Sequence, residues 1–297
     1  MKSMASTFAL SVALAATTAI APAHAQESVE RTVAADPKGE VEIVNVAGDV
    51  QVRGWDRNEV QVHAELGPGV ERLDLQSSKG RTTINVIVQG RHNAGSSDIV
   101  VELPRQSTVL IRTISADQTV TDVRGVQRLQ AVSGSINTQV WSEEFSARTI
   151  SGDVIVNGHS NPSVAEVNTV SGDVTLANVA GELSLETVTG DMQITMPTMT
   201  RGRIQTTNGD LHLQTSLARD ARLEAEAING DLSFLLRSPL NAEFDVETFN
   251  GEIDNCFGPK SVRTSEFAPG NALRFKEGDG SSRVRIKTLN GGVEICK

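Results

Sequence analysis

Thr169-Val170-Ser171-Gly172-Asp173-Val174-Thr175-Leu176 is a stretch that this chain writes again and again. Its plan is an apolar residue, then Ser, Thr or Asn, then Gly, then an acid, then alternating apolar positions. Clear copies run Thr149–Val154, Thr187–Met192, Thr206–Leu211, Ile228–Leu232, Phe249–Ile253 and Leu289–Val293, with weaker ones at Val132–Ile136 and Ile114–Asp117. Anchored on the Gly, positions 116, 134, 152, 172, 190, 209, 230 and 251 fall 18 to 21 residues apart. That period, with strand-like alternation inside each unit, predicts an all-β chain: a single-stranded β-solenoid with coils of about 18–21 residues.

Alignment on the anchor assigns a task to each position. Five before it stand Ile111, Leu129, Val167, Leu185, Ile204, Val246 and Ile286. Two before it stand Ile114, Val132, Ile150, Val170, Val188, Ile228, Phe249 and Leu289; two after it stand Ile136, Val154, Val174, Met192, Leu211, Leu232, Ile253 and Val293. All three columns are expected inside the coil, so Phe249, like Phe244, is assigned to packing. Thr113, Thr149, Thr169, Thr187, Thr206, Thr248 and Thr288 form a Thr ladder beside the corner. The turn glycines Gly134, Gly152, Gly172, Gly190, Gly209, Gly230, Gly251 and Gly291 are expected at a corner that needs positive φ, where a Cβ is costly. The residue before each can bond the turn backbone. Asn-Gly and Asp-Gly are also hairpin signals, which makes an antiparallel meander the structural rival. Recurrence of whole units, non-turn Thr included, favours stacking.

Upstream, residues 26–104 are β-like but irregular: Glu40–Val52, Val60–Val62, Leu73–Leu75, Thr83–Val88 and Ile99–Pro104 alternate between turn residues. They read as an N-terminal β cap running into repeats over 105–297, since a bare stack end would offer unpaired backbone. Within the repeats, 257–282 reads as an insertion loop. Its Lys260, Arg263, Arg274 and Lys276 with Phe257, Phe267 and Phe275 suit a capping flap or a binding loop. The unit Glu243-Phe244-Asp245-Val246-Glu247 aligns with Arg283-Val284-Arg285-Ile286-Lys287, opposite charges facing one another, so these units are expected to touch. The second of them is then expected as the terminal coil, its charges guarding an exposed end. Contact would also bring Cys256 beside Cys296, each five residues after its anchor, as a disulfide.

Residues 1–25 read as a signal peptide: Lys2, an apolar run, and Ala23-His24-Ala25 as the cleavage site. Apolar residues there are too few and too interrupted for a retained span of about 20 residues. Export to the periplasm, outer surface or medium follows, without a transmembrane anchor. The formal charge of −10, or −11 once Lys2 is removed, argues against nucleic-acid partners.

Little in the chain demands chemistry. The recurring acids Asp117, Asp153, Asp173, Asp191, Asp210, Asp231 and Glu252 could hold calcium in a calcium-stabilised module, but one Gly per corner differs from known calcium repeats. A polysaccharide-active β-helix enzyme would cluster its carboxylates, whereas these are evenly spread. Capping the turn is the plainer role for them. His63, His92, His159 and His212 lack metal-ligand spacing. No catalytic residue, cofactor or metal is assigned, and the chain is expected to be no enzyme.

The repeat, the Gly54-Trp55-Asp56-Arg57 turn, Leu103-Pro104 and the closing Arg283–Val293 unit together resemble the bacterial β-strand-repeat family called "putative adhesin", over roughly Val41 to Ile295. That resemblance implies an exported, non-enzymatic envelope protein and carries over no catalytic residues. An envelope protein or a surface glycan is the expected partner, and the protein itself is expected as a monomer.

Overall fold

The structure, a computed structural model, describes residues 27–89, 95–141, 143–265 and 269–297. The leader read over residues 1–25, together with His92 and Phe267, lies outside the described residues. Six strands come first: β1 (Glu27–Ala34), β2 (Glu40–Trp55), β3 (Glu59–Leu66), β4 (Val70–Ser78), β5 (Arg81–Val88) and β6 (Ser97–Pro104). β7 (Thr108–Thr121) opens the regular part. Pairs split by each anchor follow: β8 (Gln127–Ser133) and β9 (Ile136–Val140), β10 (Glu144–Ser151) and β11 (Val154–Gly158), β12 (Pro162–Ser171) and β13 (Val174–Ala177). Next are β14 (Ala180–Thr189) and β15 (Met192–Thr195), β16 (Met199–Asn208) and β17 (Leu211–Thr215), β18 (Leu217–Asn229) and β19 (Leu232–Leu236). The chain closes with β20 (Ala242–Asn250), β21 (Ile253–Asn255), β22 (Val262–Arg263), β23 (Asn271–Glu277), β24 (Ser282–Asn290) and β25 (Val293–Cys296).

From β8 to β19 the pairing is parallel and advances one unit at a time, which removes the meander. β8, β10, β12, β14, β16 and β18 form one row. β9, β11, β13, β15, β17 and β19 form the other. Equivalent residues face each other: Thr149 lies opposite Thr169, and Val154 opposite Val174. β2 joins as a further rung, with Gly48 opposite Ala116 and Asp49 opposite Asp117. Before it the pattern changes: β5 and β6 lie parallel on β2, while β4 on β5, β3 on β6 and β1 on β3 are antiparallel.

Alternation decides the core. The columns five before and two after the anchor are buried, as Ile111, Leu129, Val167, Val154, Val174 and Leu211 show. The column two before it corrects the expectation. Ile114, Val132, Ile150, Val170, Val188, Ile228, Phe249 and Leu289 point outward, 43% to 54% exposed. The reason is parity: successive strand side chains face opposite ways, so if positions five and three before the anchor point in, position two before must point out. The inward place belongs to the Thr ladder, which is buried. Thr113 and Thr248 use their hydroxyls to donate to the corner carbonyls of Ala116 (3.2 Å) and Gly291 (3.0 Å).

At the corners, glycine is required mainly by close approach. A Cβ on Gly172 would lie 2.2 Å from the carbonyl oxygen of Gly152 one rung away, and φ there is +140°. Gly251 departs from the expected positive φ, since its φ lies outside the left-handed range. Crowding alone demands glycine there, because a Cβ would meet the Gly291 carbonyl oxygen at 2.0 Å.

The far end is threaded out of chain order. β24 does touch β20, with Glu243, Asp245 and Glu247 opposite Arg283, Arg285 and Lys287. It is not terminal, however, because its other side pairs with β18. There Arg285 faces Glu224 and Lys287 faces Glu226, leaving only Arg283 against Arg222 unfavourable. β20 is covered in turn by β23 of the 257–282 segment, with Lys276 opposite Glu243 and Arg274 opposite Asp245. Ion pairs join Arg274 to Asp245 (2.8 Å) and Glu247 (3.1 Å), and Lys287 to Glu247 (3.1 Å). Charge explains the order. β20 laid directly on β18 would set acids against Glu224 and Glu226, while an intervening basic strand makes both neighbours complementary. Phe275 of β23 stacks on Phe244 at 4.4 Å between ring centroids, so this segment also seals the core.

Candidate interaction face

Because the exposed column recurs at every rung but one, it makes a ridge running along the stack. Its members lie about 4.8 Å apart, the spacing of neighbouring strands. Thr207 holds the equivalent place on β16 and interrupts it. Four before each anchor, a second outward row carries Arg112, Gln130, Arg148, Asn168, Glu186, Gln205, Glu226, Glu247 and Lys287. Between the two rows lies a groove along the Thr ladder. One segment, about 580 Å³, is bounded by Val132, Ile150, Val170 and Val188 on the apolar side and by Arg112 and Arg148 on the polar side. A second, about 480 Å³, continues past the interruption to Ile228 and Leu289.

The two arginines of the polar wall are fixed by neighbours. Arg148 donates to Glu166 at 2.8 Å, and this bond, helped by one from Asn168, holds the Glu166 carboxyl below its ordinary range. Arg112 pairs with Glu42. The aliphatic wall has no such partners, and scattered exposed Val or Ile would mean little. A contiguous row of them makes a candidate contact surface.

The acid column has a different job. Oδ1 of Asp153 accepts the backbone N–H of Asp173 at 2.9 Å, and the same bond repeats from Asp173 to Asp191, Asp191 to Asp210, and Asp210 to Asp231. Each carboxylate thus caps a donor of the next rung. At the N-terminal end of the column, burial first and then Asp98 and Asp117 push the Asp49 carboxyl up. Among the described residues no group of three His, Cys, Asp or Glu is arranged to hold a metal ion. Beside the acids, the residues preceding four anchors bond one another rather than their own turns. Asn208, Asn229, Asn290 and Asn250 make an amide ladder with 2.8 Å links.

Cys256 and Cys296 are joined by a disulfide, with Cα atoms 4.9 Å apart. It clips the end of β21 to β25, strands already paired at Ile253–Val293. The bond closes a separation of 40 residues. Replacing both cysteines by Ser (C256S/C296S) should cost about 2 kcal/mol, at the low end for such loops because β24 and β20 stay paired. Thermal melting with and without reductant checks this. A parent protein indifferent to reductant would contradict it.

Sequence reading missed one cluster. Arg124 lies over the Trp141 ring at 4.4 Å, and Trp141 stacks on His159 at 3.8 Å. These residues stand in the loops that end successive rungs, so aligning loop positions as well as corners would have brought them together. His63 and His212 sit elsewhere, on β3 and β17.

A profile of the family described as Toastrack DUF4097 matches residues 40–295. No curated protein matches the chain. Among solved structures, a "putative lipid binding protein" from Parabacteroides distasonis is 9% identical, with 90% of this chain and 96% of that one covered at a TM-score of 0.51. A "putative adhesin" from Bacteroides fragilis is 8% identical over 91% and 98%, at a TM-score of 0.46. Among the described residues no helix is long and apolar enough to cross a membrane.

Proposed function

The chain belongs to the Toastrack DUF4097 family, and from that premise we propose that it is a non-enzymatic, exported β-solenoid of the cell envelope that works as an adhesin-like interaction surface. The observation that carries this reading is the exposed aliphatic ridge with its groove. A repeated Val or Ile on the outer face adds only a modest amount to strand stability, through propensity and contact with its neighbours. A partner that covers the row does gain, at about 25 cal/mol per Å² of apolar surface removed from water. Stacked rungs keep the row straight and pre-organised, which spares the ordering cost of a flexible binding loop. The regular acid column supports a non-enzymatic reading, since Asp117, Asp153, Asp173, Asp191, Asp210 and Asp231 are each engaged in capping a backbone N–H of a neighbouring rung.

The test is a fourfold change on the ridge, V132S/I150S/V170S/V188S. These side chains are about half exposed, so the melting temperature should fall by only about 5–10 °C with unfolding still cooperative, which leaves the variant folded in the assay. Binding of the mature protein to a purified envelope fraction, measured by co-sedimentation, should weaken at least tenfold. Equal binding by parent and variant would overturn the reading.

A further inference from the structure

At the junction of the N-terminal strands with the stack lies a pocket of about 200 Å³ lined by Trp55, Arg57, Arg105 and Arg124, with Asn58, Gln106 and one carboxylate, Asp56. In a chain of net charge −10, three guanidinium groups on one small pocket are unexpected. Each is held in place by something other than a strong ion pair. Arg57 lies over the Trp55 ring at 4.7 Å, and Trp55 is itself fixed by a 2.9 Å bond from Nε1 to the Glu59 carbonyl. Arg124 rests on Trp141. The Arg105 guanidinium donates to the Gly54 carbonyl at 3.4 Å, while the Arg105 carbonyl accepts the Arg124 N–H at 2.6 Å.

The carboxylates nearby balance only part of this charge. Asp56 reaches Arg105 at 3.6 Å from a side chain 81% exposed, and Glu59 reaches Arg57 at 3.4 Å. Exposed pairs of that length contribute about 0–1 kcal/mol, so an arriving anion can displace or share them. Arg124 has no carboxylate partner among the described residues. Guanidinium groups already oriented by aromatic rings pay less entropy when they bind a planar anion, and their paired N–H donors match a carboxylate.

We propose that this pocket binds one anionic sugar unit, a saccharide ring bearing a carboxylate. The guanidinium groups take the acid, Asn58 and Gln106 bond hydroxyls, and Trp55 with Pro37 and Pro104 supplies an apolar wall. Its volume is below the roughly 300–1,000 Å³ of pockets for larger ligands, which limits it to a single residue of a chain. The site is separate from the aliphatic ridge, so the two readings stand or fall independently.

Trp55 and Trp141 are the only tryptophans in the chain, so intrinsic fluorescence reports this cluster directly. Titration of the mature protein with D-glucuronate should give a saturable change, weakened at least tenfold in R124A and in R105A and partly retained in R124K. Melting curves that match the parent confirm that the exposed Arg124 variants are folded. Glucose at equal concentration should give no saturable change, and acetate or inorganic phosphate should bind at least tenfold more weakly than glucuronate. Absence of saturation with glucuronate would overturn the proposal. So would equal binding of glucose or of the simple anions, or R124A behaving as the parent.

Discussion

Reversing the charges of β24, as R283E/R285E/K287E, is expected to lower the melting temperature of the mature protein by on the order of 10 °C at low salt. Five of the six outward neighbour contacts of these residues on β18 and β20 are to acids. Each complementary cross-strand pair contributes roughly 0.2–1 kcal/mol, and reversal both removes that gain and adds repulsion, so the sum is roughly 4 kcal/mol. For a domain of this size that corresponds to about 2–4 °C per kcal/mol. The deficit should shrink in about 1 M salt, where exposed charges are screened within roughly 3 Å. A variant that melts like the parent at low salt would mean that β24 does not lie between β18 and β20.

Three glycine substitutions separate crowding from backbone conformation. Gly172→Ala places a Cβ 2.2 Å from one backbone atom and 2.6 Å from another, at φ +140°, in the middle of the stack. Neighbouring rungs hold that backbone on both sides, so relief requires parting them. We expect a loss of roughly 4–5 kcal/mol, in the range reserved for severe local disruption. Gly251→Ala meets the same crowding, 2.0 Å from Gly291, without the positive φ, and should cost less. Gly258→Ala has positive φ, +116°, with nothing within 4 Å, and should cost about 1 kcal/mol. Urea unfolding of the three variants gives the order. Gly251→Ala as mild as Gly258→Ala would show that close approach is not what the corner glycines serve.

Much of the architecture was legible because the repeat is regular. The anchors, the two buried columns and the contact of 243–249 with 283–289 follow from aligned residues alone. The ridge did not, and its concealment has a physical cause. Thr149, Thr169 and Thr187 are polar but face inward, while Ile150, Val170 and Val188 are apolar but face out. Polarity therefore points to the wrong face, and only the strict two-residue alternation corrects it. Placement of β24 was half visible: its match to Glu243, Asp245 and Glu247 could be read. Its match to Glu224 and Glu226 was masked by the assumption that rungs stack in chain order. The arginine pocket was hidden for another reason, since Trp55, Arg105 and Arg124 come from separate turns that share no motif.

The out-of-order threading of β24 sets a timetable for biogenesis. A chain that emerges from its N-terminus presents β18 and β20 before β24, yet the acids of β20 would repel Glu224 and Glu226, and the two strands have no ladder between them. The stack can therefore grow rung by rung in chain order only as far as β18. Its last layers must wait, solvated and unlatched, until residues 282–296 are free to slide between strands made earlier. The disulfide can form only after that step, because Cys296 arrives with β25. Completion of the far end thus waits on the C-terminal segment, and until it arrives β20 to β23 are open to proteolysis while the earlier rungs can already be closed.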